Sequence, residues 1–156
     1  MRSQSKLVAY FISTTLAVTA FGDAAHSSSR QPQNESQAER QAATLEDKCV
    51  GDLRTLNVAE IAYEGFHPEK GFTHSLKELG PKGENLVGPL LPTGEADGYR
   101  ITLRGKGTPV RHYVILAKPV TRLVANQRSY FRDETGIIRF TTEPRAATKA
   151  DPQIPQ

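Results

Sequence analysis

The chain has 156 residues, 37% of them hydrophobic, and a formal net charge of +3. That length allows one domain with one core. A single cysteine, Cys49, excludes an intramolecular disulfide, so packing alone must hold the fold.

Taken in chain order, the first element is an export signal. Arg2 and Lys6 form a basic start, and Leu7 to Phe21 run without a charge. A basic segment, an apolar segment of this length and small residues beyond it make the signal-peptide pattern, so residues 1–25 read as a signal peptide. The run is shorter than the ~20 apolar residues a spanning helix needs. The protein is therefore expected in the periplasm or outside the cell, with no stable membrane span once the signal is cut. An uncut signal would instead tether it to the inner membrane. Residues 26–43, rich in Ser, Gln, Asn and Glu, read as a flexible polar linker.

A folded domain is expected over residues 44–141. Its first element is a helix from Leu45 to about Glu64. Thr44 and Asp47 suggest a capping box. Leu45, Cys49, Leu53, Leu56 and Tyr63 keep the spacing of one helical face, with Val50 and Ile61 beside it. Cys49 on that stripe is expected to be a buried thiol. Glu60 and Glu64, one turn apart, are expected to face water. Gly65 and Pro68 end the helix. A turn follows over 66–72, then a short helical turn through Leu76 and Leu79, stopped by Gly80-Pro81. Residues 82–97 read as a long loop.

The remainder reads as strands. Tyr99, Ile101 and Leu103 alternate with Arg100, Thr102 and Arg104, and Tyr113 to Ala117 are continuously apolar. Residues 129–132 and 137–141 flank Asp133-Glu134-Thr135-Gly136, a hairpin turn. The fold class is α+β: one long helix packed on a three- to four-stranded antiparallel sheet. Residues 142–156, with three prolines, read as a disordered tail.

Charge divides along the chain. From Thr44 to Asp97 ten acids stand against five bases. From Gly98 to Phe140 nine bases stand against Asp133 and Glu134 alone. Two solvated faces would account for this. So would an anion-binding face or head-to-tail self-association. Arg100, Arg104, Arg111, Lys118 and Arg139 are the candidate anion- or partner-binding residues, because facing cations without intervening acids suit phosphate, sulfate or carboxylate groups.

No catalytic constellation emerges. Cys49 lies on a core stripe, and no GxSxG elbow occurs. His67 and His74 flank a turn near Glu69 and Glu78 but lack metal-ligand spacing. Glu95 and Asp97 are too few for a calcium loop. The reading is therefore of a non-enzymatic domain with no cofactor or metal. It would work through a protein partner, self-association or an anionic envelope polymer. No nucleic-acid motif is visible.

Four segments add a resemblance. They are the helix segment Leu53–Tyr63, Gly71-Phe72-Thr73-His74-Ser75-Leu76-Lys77-Glu78-Leu79-Gly80, Gly98-Tyr99-Arg100-Ile101-Thr102-Leu103, and the closing hairpin Arg128-Ser129-Tyr130-Phe131-Arg132-Asp133-Glu134-Thr135-Gly136-Ile137-Ile138-Arg139. Their order resembles the soluble headgroup of type IV pilins and type II secretion pseudopilins. The resemblance implies a helix-on-sheet domain acting by protein–protein contact in the envelope or in a secretion or pilus assembly. The departure lies at the start. In pilins the apolar helix runs unbroken into the headgroup, whereas here a polar segment separates the two. Some pseudopilins bind calcium in a loop near the end of the sheet. The corresponding residues 121–127 contain no acid, so that site is not carried over.

Overall fold

The computed structural model describes residues 30–155, with side chains from residue 37. The signal-peptide reading of residues 1–25 lies outside them. Helix α1 spans Arg30–Phe66 and is 37 residues long. After it come the short helix α2 (Leu76–Leu79), a 3-10 turn (Leu91–Thr93), and strands β1 (Glu95–Ala96), β2 (Tyr99–Gly107), β3 (Val110–Pro119), β4 (Ser129–Asp133) and β5 (Ile138–Thr141). The sheet is antiparallel in the order β1-β2-β3-β4-β5, with five strands where the alternation signalled three to four. The extra strand is β1. Asp97 and Gly98 both take positive φ, 47° and 76°, and turn Glu95–Ala96 back onto Arg100 and Tyr99 in a two-residue hairpin.

The helix starts well before Leu45. The segment read as a linker supplies helix from Arg30 to Ala43. Gln37 to Ala43 are Gln, Ala, Glu and Arg, all strong helix formers. Of these Ala42 is buried, and the rest extend a helix that is anchored further along. Thr44 is consequently interior and caps nothing. Its hydroxyl donates back to the Arg40 carbonyl at 2.9 Å.

Cys49, Leu53, Leu56, Ala59 and Tyr63 pack onto the inner face of the sheet, formed by Tyr99, Ile101, Leu103, Tyr113, Ile115, Ala117, Tyr130 and Ile138. Burial pushes the Cys49 thiol pKa up. Val50 is partly buried against this core, but Ile61 is exposed. Glu60 does not face water. It sits on the buried stripe between Leu56 and Tyr63 and is fully inaccessible. Its carboxylate accepts the Thr73 backbone N–H at 2.9 Å and also pairs with the Thr73 hydroxyl.

Two glycines bring Thr73 there. A Cβ on Gly71 would lie 2.1 Å from the Val110 carbonyl oxygen, and one on Gly105 would lie 2.2 Å from the Thr73 carbonyl oxygen. Only bare backbone allows this approach. It is closed by Val110 N–H to Lys70 carbonyl at 2.7 Å and Phe72 N–H to Val110 carbonyl at 3.0 Å. Phe72 then packs edge-on to Tyr113, ring centroids 4.9 Å apart.

Residues 142–155 do not form a loose tail. Phe140 donates to the Pro152 carbonyl at 2.9 Å and Ile154 to the Ile138 carbonyl at 3.0 Å, with a bridge between Arg139 and Gln153. The segment thus covers the free edge of β5. Arg145 forks onto both Asp151 oxygens at 2.8 and 2.6 Å, and Asp151 also accepts the Thr148 N–H at 2.7 Å. This polar pairing, with Ile154 packed against the core, orders the segment despite its three prolines.

Candidate functional site

The sheet register separates the five candidate cations. On β2 and β3, Arg100 stands directly opposite Lys118, Thr102 opposite Leu116, and Arg104 opposite Val114. Tyr99, Ile101 and Leu103 point to the core, so Arg100, Arg104 and Lys118 share the outer, solvent face. Lys106, exposed and opposite His112, continues that face. Arg100, Thr102, Leu116 and Lys118 line a shallow hollow of about 250 Å³.

Arg111 does not belong with them. It falls at the irregularity beside Gly107 and reaches Glu64 on α1 at 4.0 Å. Arg139 pairs across β4–β5 with Phe131. Three strand spacings, about 14 Å, separate its row from β2. Its guanidinium donates to the Asp151 carbonyl at 2.9 Å, holding the C-terminal segment. The basic face therefore consists of Arg100, Arg104, Lys106 and Lys118.

Charge pairing on this face is incomplete. Glu95, opposite Arg100 on β1, accepts from its Nε and terminal nitrogen at 3.1 and 2.8 Å. Among the described residues Arg104, Lys106 and Lys118 make no ion pair. Acids elsewhere are engaged within the chain: Glu46 with Arg128, Asp97 with Lys48, and Glu134 with His112 at 2.7 Å. Among the described residues, the exposed acids without such a partner lie on α1, at Glu39 and Asp47. The acidic and basic halves of the chain thus mate partly with each other inside one molecule.

The histidine turn separates into two arrangements. His67 Nε2 meets Glu84 at 2.8 Å, whereas Glu78 accepts the His74 N–H and the Ser75 hydroxyl, each at 3.1 Å. No group of three or more His, Cys, Asp or Glu among the described residues is arranged to hold a metal ion. None of the described helices is long and apolar enough to cross a membrane.

One functional candidate escaped the sequence reading. Arg132 lies on the core face of β4, between Ile115 and Ile138 in register, and is buried. Burial, with the nearby Arg54 charge adding to it against the influence of Tyr113, lowers the pKa of its guanidinium. The detectable signal was strand parity: Tyr130 must face the core, so Arg132 must too. Compared with protein families, curated proteins and solved structures, the chain has no match.

Proposed function

We propose that this is a non-enzymatic, pilin-like interaction domain of the cell envelope that mates head to tail with further copies of itself. The exposed acids Glu39 and Asp47 of α1 meet the outer basic face of β2–β3. The supporting observation is that Arg104, Lys106 and Lys118 form one wet face with no ion pair among the described residues, while Glu46, Glu64, Asp97 and Glu134 are engaged within the chain. Cations held together without counter-charge favour encounter with an acidic surface. The order of helix, glycine-aromatic turn and closing hairpin supports the pilin-like part. The signal-peptide reading of residues 1–25 supports the compartment.

Sedimentation across protein and salt concentration tests this. Association is expected at low salt and should weaken as salt screens the contact. Arg104→Glu with Lys118→Glu should abolish it, and adding Glu39→Lys with Asp47→Lys should restore it. A monomer at every salt and protein concentration would overturn the proposal.

A second reading rests on the hollow beside the opposed Arg100 and Lys118, which would suit a sulfated or phosphorylated envelope polymer. Arg100→Glu with Arg104→Glu should then abolish retention on a heparin-like resin. Unchanged retention counts against it.

A further inference from the structure

Arg132 is 7% exposed, and among the described residues no carboxylate pairs with its charge. One terminal nitrogen donates to Asn57 Oδ1 at 2.8 Å, while Nε and the other terminal nitrogen are buried without a partner. The amide of Asn57 is fixed in that orientation, because its nitrogen donates to the Tyr113 hydroxyl at 2.6 Å. The nearest acid in sequence, Asp133, turns away to the Thr135 N–H and Lys149. A buried guanidinium retained in this condition is costly to the fold.

A cavity of about 320 Å³ adjoins it, lined by Arg54 of α1, Arg132, Gly136, Ile138, Gln153 and Ile154 among others. Two arginines therefore line one cavity, and none of its described lining residues is an acid. The pair repels itself when empty and is relieved by an anion. Guanidinium forks match the oxygens of phosphate, sulfate and carboxylate groups.

We propose that this cavity between α1, β4–β5 and the C-terminal segment is a binding site for a small oxyanion, held by Arg132 from within and Arg54 from the rim. The site is independent of the outer basic face, because Arg132 lies on the opposite side of the sheet from Arg104 and Lys118. The bound group is a free phosphate-type anion or a free carboxylate, and the two are separable by experiment.

The test is titration of the full chain with sodium phosphate, sulfate or acetate against chloride of matched ionic strength. It is followed by the nitrogen–proton resonances of the Arg132 Nε and the Gly136 amide. A saturable shift is expected in at least one of the three. Response to phosphate and sulfate alone assigns a tetrahedral anion, and response to acetate alone assigns a carboxylate. Arg54→Gln should weaken binding about tenfold, the worth of one charge-assisted hydrogen bond. Arg132→Gln should abolish it. Should that variant fail to fold, Asn57→Asp serves instead. It places a carboxylate on Arg132, so it should raise the melting temperature and remove the anion response. No saturable shift with any of the three anions, or undiminished binding in Arg54→Gln, would overturn the assignment.

Discussion

Glu60 shows most directly how one residue can contradict its own type. Its spacing from Leu56 and Tyr63 puts it on the buried stripe, yet a glutamate is normally assigned to water. Burial raises its pKa from the usual 4.5 to about 7, although the two bonds from Thr73 oppose the shift. The native state therefore holds a proton that the unfolded chain releases. Stability from this group is complete below about 4.5 and is lost as pH rises through 7, by roughly 3 kcal/mol in all. Glu60→Gln keeps an acceptor for the Thr73 N–H, and its amide nitrogen can donate to the Thr73 hydroxyl where the wild-type oxygen accepts from it, all without the charge. Urea unfolding at mildly acid and mildly alkaline pH should show the wild type weaker at the alkaline end and the variant level. Equal slopes for both proteins would mean that Glu60 is not the group responsible. Arg132 is a second polar residue buried on a periodic face. Both were readable from periodicity, one at 3.6 and one at 2, but their polarity argued against burial.

At the scale of elements, apolar spacing carried the reading and its absence misled it. The stripe Cys49, Leu53, Leu56 and Tyr63, the alternation Tyr99–Leu103 and the turn at Asp133–Gly136 all appear in the structure where the pattern placed them. Helix before Thr44 and ordered chain after Thr141 were illegible because neither carries a periodic run of large apolar residues; after Thr141 Ile154 alone of the large apolar residues packs against the core. One rests on helix propensity, the other on backbone pairing and the Arg145–Asp151 fork. The segment Gly71-Phe72-Thr73 was legible as a motif but not as a joint. Its glycine has φ of 77° and no room for a side chain against the Val110 carbonyl. Gly51, inside α1, has nothing within 4 Å of its absent Cβ. The two positions predict opposite outcomes for one chemical change. Gly71→Ala should cost roughly 3 kcal/mol, through strain and loss of the joint that carries Thr73 to Glu60. Gly51→Ala should gain roughly 0.5–1 kcal/mol from helix propensity. Denaturant midpoints measure both. If Gly71→Ala were as mild as a surface change, the close approach would not be what that glycine provides.

At the scale of the whole molecule, the division into acidic and basic halves has a different meaning from the one composition suggests. Glu46 with Arg128 and Glu64 with Arg111 tie helix to sheet, so part of the division is internal complementarity. What remains is concentrated on the outer face of β2–β3. There the register sets Arg100 against Lys118, a like-charged pair directly opposed across a strand pair. Such a pair destabilises a sheet by an amount comparable to a good cross-strand contact, up to about 1 kcal/mol. Glu95 shields only the Arg100 side. A fold under selection for stability alone would gain by replacing Lys118 with an acid. Lys118→Glu is therefore expected to raise the melting temperature, because the new carboxylate faces Arg100 directly. The same variant should weaken the salt-sensitive association proposed for this face. Opposite movement of the two readouts is the signature of a surface that gives up stability to bind. If Lys118→Glu destabilised the domain, the repulsion argument would fail. If it stabilised the domain and left association untouched, the contact would have to lie elsewhere than on the outer face.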